Sequence, residues 1–186
     1  MRILRNLMSG LLLVGTMTFV GCNVTPVRIP ELPLAEVKPY FIEASEVQAI
    51  DTAYYQVKDA NGQVLGTVLL SAPYSDPVKG YNGPTPLLIA LDPENRIMQV
   101  AMLDNHETPR FAQRVSDGGL YQSWKGLSVE EALAKDVDAI SGATYTSNSV
   151  INSLNVRLEA YQRQLKKDYN ALKPNFWQRL FAPKKR

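Results

Sequence analysis

Residues 8–20 form a short, mostly apolar run behind Arg2 and Arg5, and after it the spacing of apolar positions breaks up. Residues 23–45 show no period, with Pro26, Pro30, Pro33 and Pro39 set among scattered apolar residues. Proline at that spacing favours extended geometry over helix. Residues 52–58 and 64–70 are rich in β-branched and aromatic residues, and Asp59-Ala60-Asn61-Gly62 between them is a turn signal, so the pair predicts a hairpin. Residues 71–86 carry Pro73, Pro77, Gly80, Gly83, Pro84 and Pro86 and read as a loop. Residues 87–91 and 97–103 are nearly continuous apolar runs around Asp92-Pro93-Glu94-Asn95, which predicts a second hairpin, of buried strands.

Beyond residue 108 the period changes to that of a helix. Pro109 opens a short helix to about residue 116, and Gly118-Gly119 ends it. Ser128 and Glu131 have capping-box spacing and start another, running to about residue 135. Val150, Ile151, Leu154, Leu158, Tyr161, Leu165, Tyr169 and Leu172 then mark one face of an amphipathic helix over residues 147–172, which Lys173-Pro174 should stop. The fold class that follows is α+β: a small antiparallel sheet of two hairpins packed against the long C-terminal helix.

Composition bounds the rest. A chain of 186 residues with 45% hydrophobic and 20% charged residues suits one domain with appendages. Residues 1–22 read as an export signal whose apolar run is too short to span a membrane comfortably. The segment ends Val20-Gly21-Cys22, and Cys22 is the single cysteine, which leaves no intramolecular disulfide. Its position resembles a bacterial lipobox, in which the cysteine is lipidated; an ordinary signal peptide with an incidental cysteine is the other reading. The expected organisation is a lipoprotein signal (1–22), a proline-containing tether (23–45) with the domain proper beginning near Phe41 or Ala44, a globular domain (46–172) and a basic aromatic tail (173–186). The net charge of +2 hides a segregation: residues 23–156 hold nine basic and sixteen acidic residues, residues 157–186 nine basic and two acidic. The tail has the chemistry of an anionic membrane face, or of a short helix folded onto the domain with a solvated end.

The richest stretch for chemistry is Asp138-Ala139-Ile140-Ser141-Gly142-Ala143-Thr144-Tyr145-Thr146-Ser147, directly before the long helix. Gly142 and Ala143 leave backbone uncovered, and Ser141, Thr144, Thr146 and Ser147 supply hydroxyls. Free N–H groups and a partial positive charge at a helix start make such a loop a seat for phosphate. From the residues alone, a plain helix cap at Thr146 or Ser147 is the commoner reading, because Ser/Thr clusters often precede helices.

The run Asp138-x-x-Ser141-Gly142-Ala143-Thr144 resembles the flavinylation motif of the FMN-binding domain family, which includes the G subunit of Rnf-type electron transport complexes and the C subunit of the sodium-translocating NADH:quinone reductase. Two further segments agree in order: Gly80-Tyr81-Asn82-Gly83-Pro84 resembles the family's glycine-tyrosine-x-glycine-proline stretch, and His106-Glu107-Thr108-Pro109 its Glu-Thr-Pro segment. The histidine stands one place closer than in the family pattern, and Arg110-Phe111-Ala112 replaces the common Gly-Leu-Gly. The resemblance implies FMN esterified through its phosphate to Thr144 by an FAD:protein FMN transferase. It implies Ser141, Gly142, Ala143, Thr146 and Ser147 around the phosphate, and Asp138 in loop geometry or transferase recognition. Glu107 and Thr108 would face the ribityl chain or ring, and Tyr81, Tyr145 or Trp124 would pack on the ring. His106 is the single histidine and is a weak candidate proton donor.

The implied function is an extracytoplasmic electron carrier between a membrane donor and a redox partner protein, held to the membrane through Cys22. The alternative is a lipid-anchored ligand-binding or structural lipoprotein with the same fold and no flavin. Gly-x-Ser-x-Gly is absent, which argues against a serine hydrolase. The acidic body argues against nucleic acid. One histidine and one cysteine argue against zinc or haem.

Overall fold

The computed structural model describes the backbone of residues 31–181 and the side chains of residues 31–167. The signal segment with Cys22, residues 23–30 of the expected tether, and tail residues 182–186 lie outside the described residues.

Five antiparallel strands, β1 (Glu46–Asp51), β2 (Tyr54–Lys58), β3 (Val64–Leu70), β4 (Leu87–Leu91) and β5 (Ile97–Met102), form one sheet in sequential order. Both predicted hairpins are present. In the first, Asp59 Oδ1 accepts the N–H groups of Asn61 and Gln63, each at 2.8 Å, and Gly62 takes φ +79°. In the second, Asp92 Oδ1 accepts from Glu94 at 3.0 Å and Arg96 at 2.7 Å. The apolar pattern does not predict strand β1: only Val47 of its residues is even half-buried, so this edge strand carries no alternation to detect.

Strand β4 is buried throughout, which explains its unbroken apolar run. Leu87, Ile89 and Leu91 face one core, with Val150, Leu154, Leu158 and Tyr161 from the long helix. Leu88 and Ala90 face a second core, with Tyr55, Val57 and Val68 from the sheet and Leu32, Val37, Phe41 and Ala44 from the chain before it. The expectation that the tether runs to residue 45 is therefore corrected. Residues 32–44, including the one-turn helix α1 (Leu34–Val37), cover the outer face of the sheet. Proline spacing prevents a long helix there, but it does not stop four apolar side chains from shielding a face that would otherwise meet water.

Helix α2 (Pro109–Asp117), a 3₁₀ turn (Leu120–Trp124) and helix α3 (Val129–Ala134) follow the sheet. The capping box at Ser128 is complete: its hydroxyl accepts the Glu131 N–H at 3.2 Å, and Glu131 Oε2 accepts the Ser128 N–H at 2.8 Å. Helix α4 (Thr144–Phe181) begins three residues before the predicted start. It also runs through Lys173-Pro174, where a stop was expected. Proline removes its own N–H and crowds the carbonyl four residues back, but the residues after it keep both groups, so helical bonding resumes.

Arg157, counted by sequence with the basic C-terminal residues, is fully buried (0% exposed). Its Nε donates to the Leu70 carbonyl at 2.8 Å, its Nη2 to the Ala53 carbonyl at 2.9 Å, and its guanidinium lies 4.7 Å from the centre of the Tyr74 ring. Burial lowers its pKa, and the two carbonyls hold the charge where no carboxylate is in contact among the described residues. This side chain pins α4 to the ends of β3 and the β1–β2 turn.

Replacing Phe41 by Ala should lower the unfolding free energy by about 3–5 kcal/mol in urea denaturation, the cost of emptying an aromatic site in a packed core. A side chain on a solvated tether would change it by no more than about 0.5 kcal/mol.

Candidate functional site

Gly142, at φ +76°, turns the chain so that the Ala143 N–H bonds the Ile140 carbonyl at 3.0 Å and α4 starts at once with Thr144. Ser147 fastens this turn from inside the helix. Its N–H and its hydroxyl both donate to the Ala143 carbonyl at 2.9 Å, and its hydroxyl accepts the Ile140 N–H at 3.1 Å. Thr146 is equally inward: its hydroxyl donates to Glu107 Oε2 in a short hydrogen bond. Neither residue sits at the cap position, so the plain-cap reading does not hold. Ala143 precedes the helix, and the N–H groups of Thr144, Tyr145 and Thr146 meet no acceptor among the described residues.

Glu107 joins the three segments that the sequence singled out. Only 5% exposed, it accepts from Thr146 on α4 and, through Oε1, from the Asn82 N–H at 2.7 Å. Asn82 Nδ2 in turn donates to Thr108 Oγ1 at 3.1 Å. Gly80 is required by this packing, because a Cβ there would lie 2.7 Å from Glu107 Oε1. The carboxylate thus has its oxygens turned into protein, and its visible work is to hold the Gly80–Pro84 loop against the helix start.

Above this clamp lies a cleft of about 240 Å³ lined by Tyr81, Phe111, Gly142, Ala143, Thr144, Tyr145 and Thr146. Tyr81 (61% exposed) meets Phe111 edge-on with ring centres 5.7 Å apart, and Tyr145 (73% exposed) lies 6.4 Å from Tyr81. Large exposed rings grouped around small residues and free N–H groups make an apolar slot with a polar floor. Trp124 is buried in the main core and takes no part. Ser141, Asp138 and His106 are exposed, outside the lining of the cleft.

The structure therefore brings together Tyr81, Gly142, Ala143, Thr144, Tyr145 and Thr146 at the cleft, with Glu107 and Thr108 beneath. Sequence reasoning missed Asn82, the hinge of the clamp, and Arg114, whose guanidinium presses on Gly142. The signal for Arg114 was its four-residue spacing from Arg110, which places both on one face of α2.

Comparison with known proteins agrees with this geometry. Residues 80–159 match the family described as FMN-binding domain. The G subunit of the Na(+)-translocating ferredoxin:NAD(+) oxidoreductase complex of Acetobacterium woodii is 26% identical over 113 residues, 55% of this chain and 52% of that protein. The G subunit of the ion-translocating oxidoreductase complex of Haemophilus influenzae is 32% identical over 114 residues, with the same two shares. The chain thus spans about half the length of these curated relatives. The crystal structure of NqrC from Shewanella oneidensis superposes with a TM-score of 0.42 at 19% identity, covering 69% of this chain and 74% of that one. Residues 80–159, which carry the glycine-tyrosine loop, the Glu-Thr-Pro segment and the Ser-Gly-Ala-Thr helix start, are thus the part of the chain that is similar to the FMN-binding domain family.

Proposed function

We propose that this chain is an electron-transfer flavoprotein whose FMN is held by a phosphoester to Thr144, and that it works outside the cytoplasm, anchored through Cys22. The observation that carries the reading is the state of the hydroxyls at the loop. Thr146 and Ser147 are buried and bonded within the protein, whereas Thr144 is exposed, lines the cleft and has no hydrogen-bond partner among the described residues. Of the serine and threonine hydroxyls on α4's first turn, Thr144 alone is open to a transferase.

Attachment forms a bond from Thr144 Oγ1 to the FMN phosphorus of FAD and breaks the bond to the bridging diphosphate oxygen. AMP leaves, and the hydroxyl proton goes to a base on the transferase. The residues present fit the group. The N–H groups of Thr144, Tyr145 and Thr146 point at the phosphate side, and Tyr81, Phe111 and Tyr145 offer ring faces and edges to an isoalloxazine. FMN held there supplies one- and two-electron transfer. The protein's own part is to keep the cofactor from being lost by dilution and to orient it against a partner. The relatives named as subunits of ion-translocating redox complexes support a membrane donor and a protein partner for this chain too. Among the described residues no helix is long and apolar enough to cross a membrane; the anchor proposed, a lipid on Cys22, rests on the place of that cysteine at the end of the export signal.

Wild type co-expressed with an FMN transferase and exported should gain the mass of FMN less one water and fluoresce in a denaturing gel. Thr144→Ala should do neither. Absence of flavin on wild type despite an active transferase would refute the reading in favour of a ligand-binding lipoprotein. Replacing Glu107 by Ala should cost about 3 kcal/mol in unfolding free energy, because it strands the Asn82 N–H and the buried Thr146 hydroxyl. Intact-mass time courses should also show slower flavinylation in that variant, since the two sides of the cleft lose their register.

A further inference from the structure

We infer that Arg114, seconded by Arg110, is the cationic partner of the phosphodiester at Thr144, an inference that rests on the flavinylation reading above. An open groove of about 710 Å³ is lined by both arginines and by Ile140, two residues before Gly142 of the aromatic cleft. Arg114 leans from α2 onto the turn so closely that a Cβ on Gly142 would meet its Nη1 at 2.4 Å. Gly142 therefore does two things: it adopts a positive φ, and it leaves room for a guanidinium two residues before Thr144.

Neither guanidinium has an acceptor among the described residues. Arg110 lies 5.4 Å from the centre of the Phe111 ring, and neither residue forms an ion pair there. Asp117, the acid on the same helix, is turned to Gln113 Nε2 at 2.7 Å. Two cations one helical turn apart repel each other, and among the described residues neither is paired with a carboxylate. The phosphodiester carries a negative charge, and the buried hydroxyls of Thr146 and Ser147 are unavailable to it. With those donors withdrawn, the side-chain donors that remain at the turn are Arg114, then Arg110, and the exposed Ser141. Arg is suited to this role because its planar fork can meet two phosphate oxygens at once.

The test is a cycle on the full chain: wild type, Arg114→Met, Arg114→Lys and Arg110→Met, each produced with and without an FMN transferase. Intact mass sets the loading and thermal unfolding gives Tm. Flavinylation should raise the wild-type Tm, and that rise should shrink by roughly 2–4 °C in Arg114→Met, less in Arg110→Met, and be largely kept in Arg114→Lys. In 1 M salt, where the Debye length is about 3 Å, the wild-type rise should fall towards that of Arg114→Met. An equal rise in wild type and Arg114→Met overturns the inference while leaving flavinylation intact. Should Arg114→Met fail to fold, a wild-type rise that is insensitive to salt overturns it instead. Wild type that takes up no flavin overturns both readings.

Discussion

A buried carboxyl group needs hydrogen-bond partners for its oxygens, because a polar group left unpaired inside a protein costs free energy. Glu107 meets that requirement with the Asn82 N–H on one side and the Thr146 hydroxyl on the other, across sequence separations of 25 and 39 residues. Three short segments are thereby brought to one place. Gly80 is small because the carboxyl group lies over it, Thr146 faces inward because its hydroxyl donates a hydrogen bond to Glu107, and Thr144, two residues earlier on the helix, is turned outward. The open hydroxyl of the site is a consequence of the closed one.

The helix that presents Thr144 is held as firmly as the clamp. Val150, Leu154, Leu158 and Tyr161 bury one face against β4, and Arg157 ties the same helix to the carbonyls of Leu70 and Ala53. Tyr161 adds a 2.6 Å hydrogen bond to Asn95 in the β4–β5 turn, and burial among its neighbours raises its pKa above the ordinary tyrosine range. On the proposed function, a cofactor carried on such a helix would move with the sheet, as a carrier that must hold distance and orientation to a partner requires.

Much of the architecture was legible because it rests on local pattern. The two hairpins, the Ser128 capping box and the buried face of α4 follow from turn residues and from periods of two and 3.6. The parts that were not legible lack a local signature. Strand β1 is an exposed edge without alternation, and the layer of Leu32, Val37 and Phe41 is a set of unevenly spaced apolar residues that gain meaning only from the sheet face they cover. Arg157 counts by sequence only as one of the basic C-terminal residues, because nothing nearby in sequence announces the Leu70 and Ala53 carbonyls that receive it.

By itself the sequence determined the α+β class, the order of the elements and the loop that carries the chemistry, since spacing and motif are properties of neighbours along the chain. Only the motif resemblance pointed to Thr144; spacing alone left open which of the loop's hydroxyls faces out. That was decided by Glu107 reaching Thr146 from another segment, by Ser147 bonding back to Ile140 and Ala143, and by Arg114 pressing on Gly142 from α2. Whether a polar group is free depends on its hydrogen-bond partners, and the one that closes Thr146 lies 39 residues away in sequence, where only the tertiary fold brings Glu107 within reach.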